Sequence, residues 1–366
     1  MKIAIDISQA VYGTGVSVYT SNLVHYLKLL DKNNQYLPFG YSLRQKKHLA
    51  NLFPGSLILP FPPTFMGLIW NQLHKINLET FTGPVDIYHS SDWTQAPSKA
   101  LKVTTVHDLS PILFPEEMRG TSFRNITKNH TLRLKRVIDE CDKIICVSQA
   151  TASDLIKLFA VEQGRVVVIY EALPQGLSII PSSTQISKIK DKYSLTNYVV
   201  VNSTLQPRKN IVRLINAFLN FRSRFQLPDQ LVITGSRGWG NLDLPRHPSV
   251  IITGFLTDND LASLIKGAEV MAQVSLYEGF SLPLLAAFHH RVPVVASNTS
   301  SHPETAGDAA IFVDPKNEED IARGISEAVS NKHKLIALGL KQLSKFSWEK
   351  TAQETIAVYN ALSRKK

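Results

Sequence analysis

Sulfur is scarce in this chain: 366 residues hold two cysteines, Cys141 and Cys146, and four methionines. Two cysteines this close together make neither a disulfide framework nor a zinc pattern, and Cys146, inside the apolar run Ile144-Ile145-Cys146-Val147, reads as a small buried hydrophobe. Long apolar runs are missing as well. No stretch approaches eighteen apolar residues, and Asp6 interrupts the N-terminal segment where a secretory signal would need an apolar core, so neither a leader nor a spanning helix is expected. Acidic residues are few, 30 Asp and Glu against 40 Lys and Arg, for a formal charge of +10. The excess is scattered, with no run of five like charges. That excludes a nucleic-acid arm and leaves phosphorylated small molecules or anionic headgroups as acidic partners. The expectation is a cytosolic protein, with peripheral contact at the inner membrane surface left open.

What is present is an α/β alternation. A hydrophobic fraction of 44% and a charged fraction of 19% suit a folded chain long enough for two domains. Short apolar strands are expected at 2–7, 85–89, 103–107, 143–148 and 166–170, then at 198–202, 230–235, 250–253, 270–274, 292–297 and 310–313. Helical patterns fall between them, which predicts two doubly wound parallel sheets. The divisions expected are 1–172, a linker at 173–196 rich in Pro and Ser, 197–345, and a C-terminal helix at 346–366 capped by Ser347.

Four segments carry chemistry. Glu278-Gly279-Phe280-Ser281-Leu282-Pro283 follows a strand and opens a helix. Such a turn aims the amides of Gly279, Phe280, Ser281 and Leu282, with the helix dipole, at an anion. Ser203-Thr204-Leu205-Gln206-Pro207-Arg208-Lys209-Asn210 also follows a strand; Arg208 offers a planar charged fork and Lys209 a point charge, both suited to phosphate. Val106-His107-Asp108 places a histidine at a strand end. Gly13-Thr14-Gly15 opens the first helix, but Val18 replaces the third glycine of a dinucleotide fingerprint, which weighs against a nicotinamide cofactor. Ser148 ends another strand, where it either lines a cleft or caps the helix from Thr151. Asp258-Asn259-Asp260 superficially resembles a D-x-D metal site. Thr257 and Asp260 are better explained as a capping box, and no metal site or cofactor is expected.

Together these segments resemble the retaining GT-B glycosyltransferases of family 4, the mannosyltransferase-like group 1 transferases, over nearly the whole chain. Further matches are Val168-Ile169-Tyr170-Glu171, Gly254-Phe255-Leu256 and the segment from Ser297 to Ala310. The resemblance implies two Rossmann-like domains facing across a cleft, with the C-terminal helix crossing back to the first. It implies a nucleotide diphosphate sugar as donor and a glycan or lipid-linked acceptor bound by the first domain. His107 and Glu278 would hold the donor sugar, Arg208 and Lys209 the diphosphate, with Gly13, Gly15, Ser148 and residues 279–282 lining the donor site.

One departure stands out: the E-x7-E signature has Ala286 where its second glutamate, the ribose ligand, belongs. An alanine forfeits one or two charge-assisted hydrogen bonds of about 1.5–3 kcal/mol each. His289, His290 and Arg291 are the candidate substitutes. A weakened, nucleotide-binding scaffold is the alternative that this departure raises. In Pro63 to His74, Phe65, Ile69 and Leu73 share a helical face near Trp70. That face is either packed on its own domain or a lip for a lipid-linked acceptor.

Overall fold

The computed structural model describes every residue except 14, 91, 116–123, 239, 241, 365 and 366. Described residues up to Glu171, together with the C-terminal segment from Ser347, form one compact unit; Ala172–Phe346 form the second.

In unit 1, β1 (Lys2–Asp6), β2 (Gln35–Tyr41), β3 (Leu57–Leu59), β4 (Ile87–Ser90), β5 (Leu101–Val106), β6 (Lys143–Cys146) and β7 (Val166–Val168) make one sheet in the order β3-β2-β1-β4-β5-β6-β7. Every neighbouring pair is parallel. In unit 2, β8 (Tyr198–Asn202), β9 (Gln230–Thr234), β10 (Val250–Gly254), β11 (Val270–Gln273), β12 (Val294–Ser297) and β13 (Ala310–Val313) run parallel in the order β10-β9-β8-β11-β12-β13. Strands covered on both faces must be apolar along their length. Val199, Val201, Leu231, Ile233, Val270, Ala272 and Val295 accordingly join Phe218 and Ile325 in one buried cluster. Each unit is Rossmann-like, as expected.

Both orders change direction once, between β1 and β4 and between β8 and β11. Loops leaving the strand ends on either side of such a point diverge and leave a crevice, the usual ligand position of open parallel sheets.

Three expectations need correction. β2 and β3 were not anticipated: β2 carries Pro38, in register with Ile5, in an internal strand where proline is rare. The stretch read as a linker, 173–196, folds with unit 2 and contains a helix, Ser183–Tyr193. Its origin is local, because Ser182 and Gln185 form a reciprocal capping box. The segment from Pro63 is not one α-helix but Pro63–Met66 running into a π-helix, Gly67–Leu73. This turns Trp70 inward against Phe39, Tyr41 and Phe81 and leaves Phe65, Leu68 and Leu73 exposed.

The C-terminal helix, Trp348–Ser363, is capped by Ser347 and belongs to unit 1. Its Thr351 hydroxyl donates to the Tyr170 carbonyl at 2.7 Å, and the Tyr359 hydroxyl lies 2.6 Å from His89 Nδ1. Among the described residues no helix is long and apolar enough to cross a membrane.

Candidate functional site

In unit 2 the two expected segments leave β8 and β11, the strands flanking the switch point. After β8 the chain makes a tight turn, Pro207–Lys209, and Asn210 ends it at φ +61°. Asn210 fastens the turn by donating to the carbonyls of Val274 (3.0 Å) and Pro315 (2.6 Å). Gly235 lets the neighbouring loop lie against this one, since a Cβ there would stand 2.1 Å from the Ser203 carbonyl oxygen.

The turn delivers Arg208 and Lys209 to Glu278. Arg208 donates to the Tyr277 carbonyl at 2.9 Å and to Glu278 Oε2 at 3.3 Å; Lys209 Nζ reaches Glu278 Oε1 at 2.5 Å, and Ser275 donates to the same oxygen at 2.8 Å. Burial alone would push the Glu278 carboxyl up, but the Lys209 ammonium and the Arg208 guanidinium outweigh it and hold the pKa at about 2. Two cations and one anion, with Arg208 and Glu278 buried and Lys209 partly so, leave one net positive charge beside the helix Leu282–His289. Ser281 holds the N-cap position of that helix without a side-chain cap bond, and Pro283 lies in its first turn. First-turn amides lack intrahelical acceptors and favour an anion.

Sequence reasoning missed the groups that hold Glu278. Ser300, at φ +58°, accepts from the Glu278 amide at 3.0 Å and donates to the Glu278 carbonyl at 2.5 Å. His302, wholly buried, contacts Ser297 Oγ through Nδ1 at 2.6 Å. The Ser297 proton goes to the Ser275 carbonyl at 2.7 Å, so His302 Nδ1 donates and Nε2 is a bare acceptor with no partner among the described residues. Burial pulls the His302 pKa down to about 4, against the pull of Glu278.

Ala286 is 0% exposed. Two of the three expected substitutes are otherwise engaged. His289 and His290 donate from Nε2 to the carbonyls of Ser178 (2.9 Å) and Leu177 (3.0 Å), which fastens the turn Gln175–Ser178 onto this helix. Arg291 takes φ +59° just beyond the helix end.

In unit 1, His107 follows β5 and donates from Nδ1 to Glu171 Oε1 at 2.9 Å, both residues buried. The Tyr19 ring meets it edge-on, centroids 4.6 Å apart. Burial would lower the His107 pKa; the Glu171 hydrogen bond and charge, with Asp92 and Asp108, raise it above the ordinary value. Its Nε2 is buried and has no hydrogen-bond partner among the described residues. Gly13 is an exposed turn residue at φ +66°, and Gly15 begins the helix Gly15–Leu30. Ser148 is fully buried and caps the helix Gln149–Phe159, accepting from the Thr151 amide at 3.0 Å. Asp258 and Asp260 sit in the first turn of the helix Asp258–Lys266, where Thr257 caps the Asp260 amide.

Residues 182–343 match the family model of glycosyl transferases group 1, and residues 13–173 that of glycosyltransferase family 4. The O-antigen chain mannosyltransferase B of Escherichia coli is 32% identical over 75% of this chain and 74% of its own length. A serotype-specific mannosyltransferase WbdA of the same species is 31% identical over 75% of this chain, which spans only 36% of that longer protein. Among solved structures, Anabaena HepE in complex with UDP-glucose superposes with TM-score 0.72 at 17% identity, covering 99% of this chain and all of that one. That likeness, at so low an identity, speaks for the fold, which is GT-B. Matched in both halves by family models and along most of its length by a transferase relative, the chain belongs to the group 1, family 4 glycosyltransferases.

Proposed function

We propose that this protein moves a hexose, with mannose the first candidate, from a nucleotide diphosphate sugar to a hydroxyl of a glycan or glycolipid, with retention of configuration and without a metal ion or cofactor. The Arg208–Lys209–Glu278 cluster at the switch point of unit 2 carries this reading. Its net positive charge beside a helix N-terminus suits a diphosphate and stabilises the charge that develops as that group leaves. Mannose rests on the names of the two Escherichia coli relatives.

A diphosphate drawn to Arg208 and Lys209 displaces the Glu278 carboxylate, which then accepts hydrogen bonds from the sugar hydroxyls. In unit 1, His107, oriented by Glu171, keeps Nε2 for a sugar hydroxyl. The acceptor hydroxyl gives its proton to a donor phosphate oxygen, so no side-chain base is assigned. Ribose recognition rests on groups other than residue 286.

Titration with a panel of nucleoside diphosphates, followed by mass spectrometry of products from a donor panel, tests the reading. Binding of none sinks it. Binding without any turnover favours the scaffold alternative that Ala286 raises. For a lipid-linked acceptor, exposed Phe65, Leu68, Leu73 and Ile76 near Lys75 are the candidate membrane contact. Co-sedimentation with anionic vesicles that is unchanged in Leu73→Ser would remove that part.

A further inference from the structure

His107 is supported from two sides, and both supports lead to the C-terminal helix Trp348–Ser363. On one side its Nδ1 donates to Glu171; on the other the Tyr19 ring stands edge-on to the imidazole, the planes 82° apart. Glu171 lies three residues past Val168, where β7 ends, so its place is not set by the strand ladder.

The first support is tied through the backbone. Thr351, buried on the helix, donates its hydroxyl proton to the Tyr170 carbonyl at 2.7 Å; the Ser347 carbonyl, one turn back, is the longer contact at 3.0 Å. The Tyr170 carbonyl belongs to the peptide that joins Tyr170 to Glu171, and a peptide is planar. Holding its oxygen therefore sets the plane from which Glu171 departs.

The second support is tied through side chains. Tyr359 Oη lies 2.6 Å from His89 Nδ1, His89 Nε2 lies 2.9 Å from Thr105 Oγ1, and Thr105 Oγ1 lies 3.1 Å from Tyr19 Oη. All four residues are buried. Burial pulls the His89 pKa down to about 3, so the ring is neutral, with one nitrogen donating and the other accepting. The members of such a chain hold one another in place, because a broken link in a dry interior leaves a polar group unpaired. Trp348, in the first turn of the helix, adds a ring 6.0 Å from that of Tyr19.

A helix that only packed against the sheet would gain nothing from burying hydroxyls. Thr355, also buried, returns its proton to its own helix, at the Thr351 carbonyl. Thr351 and Tyr359 instead reach outward, about 12 Å apart along the helix, and each reaches a support of His107. We propose that Thr351 and Tyr359 are positioning residues for His107: the C-terminal helix braces the imidazole through the Glu171 peptide and through Tyr19, keeping Nε2 in place for the sugar hydroxyl. The inference rests on the role given to His107 in the transferase reading above.

The test joins NMR of the full chain with labelled histidines to transfer kinetics. The His107 signals are those missing from His107→Gln. Its titration is set by Glu171, Asp92 and Asp108, with His89 close by. Thr351→Val keeps the volume and removes the hydroxyl. Glu171 is then loosened, so the His107 midpoint should move down, and kcat should fall about tenfold with donor KM within about twofold. Tyr359→Phe keeps the ring in the core; the ring-current displacement that Tyr19 gives the His107 ring protons should shrink, with a similar fall in kcat. Leu362→Ala, a cavity on the same helix outside both chains, should lower the melting temperature and leave the His107 signals and kcat as in wild type. An unchanged midpoint in Thr351→Val strikes out that residue, unchanged ring shifts in Tyr359→Phe strike out the other, and the two together overturn the brace. Leu362→Ala moving His107 as far as the other variants do also overturns it, because general loosening of the helix would then be the cause. The NMR needs no substrate. His107 responding as expected in a chain that turns over no donor upholds the brace and condemns the transferase reading instead.

Discussion

At Glu278 one carboxylate is shared by two cations, and the Glu278→Gln variant separates its two tasks. Removing the charge leaves Arg208 and Lys209 without their counter-ion, so nucleoside diphosphate affinity should rise several-fold by calorimetry while transfer falls by about two orders of magnitude. Falling affinity would show that the carboxylate aids nucleotide binding directly. Residue 286 behaves differently. Because Ala286 has no exposed surface, Ala286→Glu must bury a carboxylate, and the expected result is a lower melting temperature with no gain in nucleotide affinity. A gain would return the ribose to this position. At His107 the sign of the pH effect follows from its raised pKa. The Glu171 contact contributes fully below 6.5, the ordinary histidine value, and is lost as pH rises through the folded value. The melting temperature of wild type should therefore exceed that of Glu171→Gln most at pH 5.5 and least at pH 9. An equal gap at both would remove the charged pairing.

Elements show which parts of the fold were legible. All six strands of unit 2 were anticipated, since each is a short apolar run between turn residues. β2 was hidden by Pro38 and β3 by its three residues. The helix Ser183–Tyr193 was overlooked although its capping box lies in plain sequence, because the surrounding Pro and Ser suggested a linker. In the site, Arg208, Lys209 and Glu278 could be found from local patterns. Glu171 and Ser300 could not, since their partners His107 and Glu278 are distant in the chain, and His302 could not, since its state follows from complete burial. The helix Leu282–His289 carries one testable strain. Arg291, in the left-handed region just past its end, occupies a conformation that glycine adopts without cost. Arg291→Gly should stabilise unit 2 by about 0.5–1 kcal/mol in urea unfolding; a loss would mean that the arginine side chain makes compensating contacts.

For the whole molecule, acid is the expected weakness. Burial lowers His89 to about 3 and His290 and His302 to about 4, so each is neutral in the folded chain and binds a proton on unfolding below 6.5. A depressed histidine costs stability as pH falls from 6.5 toward its folded value. Glu278, held near 2, adds a loss in the same direction below 4.5. Melting temperature should fall steadily from pH 6.5 to 4, and His302→Leu should flatten part of that slope. On the proposed donor site, the same Glu278 gives the resting protein an internal anion where the donor diphosphate would sit. Donor binding is then an exchange of one anion for another rather than an encounter with bare cations, so affinity should depend only weakly on salt, and the carboxylate stands ready to reclaim both cations as the spent nucleotide departs.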